Sequence, residues 1–339
     1  MRVAVFVGLG LGLGCSGITT PNVPDEPPPT VVPLVESVGE AALETQLIVL
    51  AGNYLSNGAC GKEDGSGCDL YAVWFNPAAQ TVTAVERLTD TPGLMEHFPS
   101  VDRHQQMVAY TESLNPREVQ LKAVSMESGQ SILLAQDGRY PSFSPTHDEL
   151  AYSTRDRSVM IGQFTGGGVS GASRIAQGRD PQFSPNGKKL TFHVRPEGGK
   201  TQTAVFAVDT GQQTLLPGVS GCAHATFSQD GGDVLCGERA KLYRHAHTEG
   251  DWGSAVEVPR PTEPARFAGC DFTSHAFPDF CPDGNTAVVS VGCHERRDTR
   301  YTQVLLIDLS RNTFVDLHGQ IEAHLGVSGK ESRSADCAG

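Results

Sequence analysis

Pro181-Gln182-Phe183-Ser184-Pro185-Asn186-Gly187-Lys188-Lys189-Leu190-Thr191-Phe192 is the stretch whose reading decides the fold. An apolar run leads into Ser-Pro-Asn-Gly, and a second apolar run leads out. Asn186-Gly187 supplies the positive φ that a tight hairpin needs, and Pro185 presets the entry to the turn. The stretch therefore reads as two antiparallel strands and their turn. It recurs, without gaps, from Pro99, Pro141, Ala225 and Pro278. Nine residues into each of the five copies stands an apolar residue: Val108, Leu150, Leu190, Val234 and Ala287. The spacing of the copies, between 40 and 53 residues, is that of a repeat architecture with one supersecondary unit per repeat.

Working outward, two more strand-like runs follow each copy, as at 204–209 and 213–216 after the central one. Four short strands with turn residues between them make one blade of a propeller. A sixth unit lies ahead of Pro99, with strand-like runs at 47–50, 70–75 and 81–87, but it lacks a first strand. The expectation is an all-β, six-bladed β-propeller of four-stranded antiparallel blades, with little helix. Closing the ring removes free sheet edges. The missing strand is expected from the C-terminal side at 321–328, which would set His324 level with His224; the other donor is 31–38.

Phe143-Ser144-Pro145, Phe183-Ser184-Pro185-Asn186-Gly187, Phe280-Cys281-Pro282-Asp283-Gly284 and Arg87-Leu88-Thr89 resemble the WD40-like repeat of the TolB-like β-propeller family, over about residues 45–318. The resemblance implies six blades whose first strands line a central channel. The family's translocation protein carries an α/β domain before its propeller, where this chain has a proline-rich stretch. Related hydrolases append a catalytic domain; only 21 residues follow His318, so none is expected. The expected organisation is a signal segment over 1–15, a tether over 16–44, the propeller over 45–330 and a C-terminal tail over 331–339.

The N-terminus carries Arg2, then an apolar run over 3–13, then Gly14-Cys15. The run is too short to span a bilayer and fits a signal-peptide core. It resembles a bacterial lipoprotein signal with Cys15 as the lipidated residue, although Gly12 stands where such signals usually carry Leu. Ser16 would direct such a lipoprotein to the outer membrane. An ordinary cleaved secretory signal, giving a periplasmic protein, is the alternative. Pro21, Pro24, Pro27, Pro28, Pro29 and Pro33 make the following stretch extended, as a tether is. The formal charge of −13, from 26 Lys and Arg against 39 Asp and Glu, argues against nucleic acid as partner and against electrostatic docking on anionic lipid.

Nine cysteines in an exported chain suggest disulfides. Residues opposed across a hairpin keep a constant sum of their numbers. By that rule Cys222 and Cys236 oppose each other in the Ala225 copy. A shift by the 53-residue spacing sets Cys270 opposite Cys293 to within one residue. Cys60 and Cys68 bracket the glycine-rich loop 61–67, while Cys281 and Cys337 are left over. No Cys-x-x-Cys pair suggests zinc.

Residues just before each copy belong at one mouth of the channel. His97, Arg139, Arg179, Asp180, His224 and His275 form the candidate rim. Arg139 and Arg179 share an offset of two residues and suit an anionic group. The histidines sit at offsets of one, two and three, so alternation along a strand need not point them together. No metal, cofactor or catalytic residue is expected, and a polar rim holding ordered water is the plainer reading. His245 and His247 alternate on one strand. Gly168-Val169-Ser170-Gly171 lacks the setting of a nucleophile elbow, and the acidic stretch 63–69 misses calcium-loop spacing. The function expected is a non-catalytic, monomeric binding or scaffolding module of the bacterial envelope. Its partner would be an envelope protein, peptide or glycan at the channel mouth, with membrane contact only through the lipid anchor. The alternative is a metal-dependent lyase or hydrolase using the histidine-rich rim.

Overall fold

The computed structural model describes residues 45–55, 67–115, 118–197, 199–219, 222–238, 241–248, 250–259, 270–272, 277–295, 299–328 and 330–338. The expected signal and tether, 1–44, lie outside them. Six antiparallel sheets follow one another along the chain as the blades of a six-bladed β-propeller. From axis to rim, blade II runs Met95–Val101, Met107–Asn115, Glu118–Ser125 and Ser131–Ala135. Blade III runs Arg139–Phe143, Glu149–Ser153, Ser158–Thr165 and Gly168–Gln177. Blade IV runs Arg179–Phe183, Lys189–Val194, Gln202–Ala207 and Gln213–Leu215. In blade V the outer strand is split, and in blade VI the inner one is, into Cys270–Phe272 and Asp279–Phe280.

The repeated hairpin has one register throughout. Val101 pairs with Val108, Phe143 with Leu150, Phe183 with Leu190, Phe227 with Val234 and Phe280 with Ala287. The fourth residue of each copy donates its N–H to the carbonyl of the ninth. These bonds run Asp102 to Met107, Ser144 to Glu149, Ser184 to Lys189, Ser228 to Asp233 and Cys281 to Thr286. In the central copy Gly187 takes φ 67°, the left-handed value that the turn needs and only glycine adopts freely.

Blade I closes the ring with the two ends of the propeller. Its inner strand is Ser332–Cys337, paired antiparallel with Gln46–Gly52, which pairs in turn with Asp69–Asn76. Ala338 donates to the Leu47 carbonyl at 2.9 Å, so this blade repeats the hairpin bond of the others with its turn cut open. The C-terminal side is therefore the donor, but through a different segment from 321–328, and within the expected tail Ser332–Cys337 is a strand of the propeller. Residues 317–325 form the helix Leu317–Leu325, capped by Asp316, whose carboxylate accepts the Gly319 N–H, and by Gly326 at φ 68°. Leu317, Ile321 and Leu325 recur every fourth residue, a helical and not a strand period. The first two are buried between blades VI and I, and His324 is exposed, far from any role beside His224.

Adjacent blades are joined by apolar layers and by side-chain ties. The hydrophobic clusters each lie between two neighbouring blades, as Leu47, Val49 and Leu70 of blade I pack on Val101, Val108 and Tyr110 of blade II. Gln46–Gly52 is buried on both faces, which its apolar run Leu47–Ala51 requires. Nearer the axis, the second residue of the repeat, two positions past the left-handed residue, accepts a hydrogen bond from the backbone of the next blade. Ser100 Oγ takes the Phe143 N–H and Ser142 Oγ the Phe183 N–H, both at 3.0 Å. Asp279 takes that of Cys337 and Asp336 that of Val101, both at 2.9 Å.

Cys222 and Cys236 are disulfide-bonded, with Cα atoms 5.5 Å apart. Cys270 and Cys293 are direct register partners in blade VI. Cys68 is disulfide-bonded, and Cys60 lies outside the described residues. The two cysteines left over in the sequence, Cys281 and Cys337, are also joined, at a Cα separation of 4.9 Å. That bridge clasps the closing strand to blade VI. Cys337→Ser is expected to destabilise the propeller by about 2–4 kcal/mol, read as a lower denaturant midpoint without reductant. Deleting 331–339 is expected to abolish the cooperative transition of the full chain.

Candidate functional site at the channel mouth

Every inner strand enters the propeller through the same distortion. The residue before each repeat has positive φ: Phe98 54°, Tyr140 54°, Asp180 62°, His224 50° and Phe277 41°, with Ser334 at 29° in the closing strand. Pairing shifts by one residue there, between His97 and Ser100, Arg139 and Ser142, Arg179 and Gln182, and Ala223 and Thr226. Each is a β-bulge, which bends the strand and re-aims one side chain. Neighbouring blades hold the bulges. Thr111 Oγ1 accepts the Tyr140 N–H at 3.0 Å, Ser153 Oγ that of Asp180 at 2.8 Å, and His193 Nε2 that of His224 at 2.8 Å. Ser334 Oγ accepts the Phe98 N–H at 2.9 Å.

Four of the re-aimed side chains are rings that meet one another. Phe98 lies 4.5 Å from Tyr140, 5.3 Å from Phe277 and 5.7 Å from His224, centroid to centroid. His224 lies 3.9 Å from Phe277 and 5.8 Å from Tyr140. They come from blades II, III, V and VI, so they meet across the axis as an aromatic plug. Beside it lies a cavity of about 30 Å³, room for roughly one water, whose lining includes Asp180, Gln182, Asp279 and Asp336.

The rim residues read from the sequence divide around this plug. His224 belongs to it, and its Nδ1 is in direct contact with the buried Asp180 carboxylate. Burial opposes the charge on Asp180, but His224, His193 and Arg179 outweigh it and hold the carboxyl below the usual range. His193, which the sequence reading missed, stands 4.0 Å from the same carboxylate. His97 stacks on Phe98 and reaches Ser113 Oγ at 3.2 Å. Burial, then the charges of Arg333 and Arg139, push its pKa down to about 4. Arg139 is half-buried, with its Nε lacking a hydrogen-bond partner among the described residues, and Arg179 is exposed. His275 lies outside the described residues. Arg333 occupies the place in blade I that His97, Arg139 and Arg179 hold in blades II to IV. It escaped the sequence reading because the closing strand was set in the wrong segment.

Under the plug, the buried carboxyl groups of Asp279 and Asp336 act on one another. Burial raises the Asp279 pKa to about 6; burial, then the charge of Asp279, raises Asp336 well above the carboxylate range. Among the described residues, Cys222, Cys236 and His245 have metal-ligand spacing, but the disulfide leaves no thiolate to bind. His245 is buried, with Nδ1 3.1 Å from the Gly253 carbonyl, and His247 packs on Trp252. Gly168-Val169-Ser170-Gly171 begins the edge strand of blade III.

In three dimensions the architecture is that of a TolB-like six-bladed β-propeller. The chain is similar to TolB from Acinetobacter baumannii, with 13% identity and a TM-score of 0.60 over 88% of this chain and 67% of that one. It is also similar to a structure assigned as TolB from Agrobacterium tumefaciens, with 15% identity and a TM-score of 0.53 over 80% of this chain and 87% of that one. At such identities the likeness is one of fold. No family model and no curated protein matches the chain.

The acid pair gives the structure a pH signature. Both carboxyls hold protons more tightly folded than unfolded, where aspartate titrates near 3.9. Their contribution is complete below about pH 4 and is lost as pH rises through about 6 and beyond. Glu96, raised to about 7 by burial, acts in the same direction, so the comparison is between variants. Asp336→Asn mimics the protonated partner. Its melting temperature is expected to match the wild type near pH 5 and to exceed it at pH 8, measured by calorimetry across that range.

Proposed function

We propose that the chain is a non-catalytic binding or scaffolding module of the bacterial envelope that engages a protein, peptide or glycan at the plugged mouth. The observation that carries this reading is the plug itself: Phe98, Tyr140, His224 and Phe277 gathered at one point, with Arg139 beside Tyr140 in sequence and short of a partner for its Nε. Aromatic rings and arginine, fixed by strained backbone and packed on one another, are the chemistry of interface hot spots. Left-handed backbone at Phe98, Tyr140 and Phe277 costs stability in bulky residues. Its presence at a rim is accounted for if presenting those rings is what the site does.

An envelope location is supported by the disulfides and by the fold shared with TolB structures. Among the described residues no helix is long and apolar enough to cross a membrane. We place the propeller on a proline-rich tether over 16–44, lipid-anchored through Cys15 in the outer membrane and acting as a monomer. The WD40-like repeat at Phe183-Ser184-Pro185 belongs to the same reading.

Two measurements test it. Site-specific photo-crosslinking from the plug in intact cells is expected to capture one envelope component, and Arg139→Ala to weaken its binding at least about tenfold while leaving the melting temperature within a few degrees. Recovery of no specific adduct, or adducts indifferent to Arg139, removes the reading. Cys15→Ala is expected to move the protein from the membrane to the soluble fraction, checked by fractionation and mass spectrometry of the mature N-terminus.

A further inference from the structure

Off the axis, where blades III and IV meet, lies a second cleft, of about 90 Å³. Its lining is Arg157, Arg179, His193, Val194, Arg195 and Thr201. Three of the six residues are arginines and none is acidic. They come from different parts of the chain: Arg157 from the turn inside blade III, Arg179 from the start of the inner strand of blade IV, Arg195 from the loop after its second strand. The fold, and not local sequence, has collected them. In a chain with a formal charge of −13, such a gathering is the reverse of what composition supplies.

Two of the nearby acids, Asp156 and Asp180, are engaged elsewhere. Asp156, on the same turn as Arg157, accepts from the Ser158 N–H at 3.2 Å and from its hydroxyl at 3.1 Å. Asp180, which draws on the charge of Arg179, is already in direct contact with His224 Nδ1. None of the three guanidiniums is in an ion pair among the described residues; Arg195 Nε reaches the Gly199 carbonyl at 3.4 Å. The scaffold behind them is fixed. Arg157 has φ 66°, held where its carbonyl accepts the Gly178 N–H at 2.7 Å, next to Arg179. The Gln177 side chain donates to the Asp156 carbonyl at 2.9 Å and pins the same turn. A costly left-handed conformation at a non-glycine residue is retained at the point that positions one of the three cations.

We propose that this cleft is an oxyanion site that takes a phosphoryl group. Three guanidinium forks plus the Thr201 hydroxyl supply donors from several directions. That suits a tetrahedral anion, with three oxygens facing different directions, better than a planar carboxylate. The group would be free phosphate or the phosphomonoester of a larger ligand. The cleft is separate from the aromatic plug and does not rest on the binding role given to it; Arg179, read as part of the rim, and His193, which holds the His224 backbone, also line the cleft.

The test uses the full chain, titrated with inorganic phosphate and, separately, with glycerol phosphate, at fixed ionic strength held with chloride. Binding is read by calorimetry and by the 31P resonance. Saturable binding of either ligand is expected, and the tighter of the two identifies free phosphate or a phosphate ester as the source. Arg157→Gln and Arg195→Gln are each expected to weaken it at least about tenfold, with melting temperatures near that of the wild type. Both variants should leave crosslinking at the plug unchanged, and Arg139→Ala should leave phosphate binding unchanged. Absence of saturable binding, or binding that survives both substitutions, overturns the proposal without touching the reading of the mouth.

Discussion

The hydrogen bond that the second residue of the repeat accepts from the next blade sets how the rest is arranged. Ser100, Ser142, Asp279 and Asp336 each take a backbone N–H that the blade's own ladder leaves unmet. One such bond contributes only about 1 kcal/mol net, but a buried N–H left unpaired costs more. The inner ring is therefore obliged to be polar where the blades converge, although apolar layers supply most of the cohesion. At blades VI and I the requirement is met by aspartates in neighbouring positions. Packing them side by side is what couples the joint between those blades to protonation.

The bulges are the second consequence of crowding at the axis. An unbroken strand would alternate its side chains, one toward the axis and the next away. The extra residue in each inner strand lets Phe98, Tyr140, His224 and Phe277 all turn to one place. A neighbouring blade clamps the distorted backbone in each case where a tie is formed, through Thr111, Ser153, His193 or Ser334. His193 does double duty: it fixes the His224 backbone and lines the arginine cleft.

The blades were legible in the sequence because turn chemistry and strand spacing are local. Asn186-Gly187 and its counterparts need no distant context, and the register they set places Cys222 opposite Cys236, where the two are bonded. The mouth was only half legible. Its position along the chain could be read, since it precedes each repeat, but the side-chain directions could not: parity arguments assume an unbroken strand, and a bulge has no simple residue signature. Hence the sequence points to Arg139 and Arg179 as a rim pair, whereas the residues re-aimed to the axis are those after them: Tyr140 joins the rings, and Asp180 meets His224. The closing strand was misplaced because Ser332–Cys337 is polar and short, with no turn attached, while the helix ahead of it carries the apolar residues. Arg333, Asp336 and the Cys281–Cys337 bridge were lost with it.

The cut hairpin of blade I has a bearing on the life of the chain before the ring is complete. Gln46–Gly52 precedes the strand that covers it by almost the whole length of the propeller. Until Ser332–Cys337 arrives, one edge of an apolar strand stands unsatisfied, and such an edge accepts any strand offered to it. Exchange of closing strands between two copies would satisfy every hydrogen bond of blade I in both. The cell that makes this protein thus has reason to keep nascent copies apart, and the clasp at Cys337 makes the choice of the chain's own end hard to reverse.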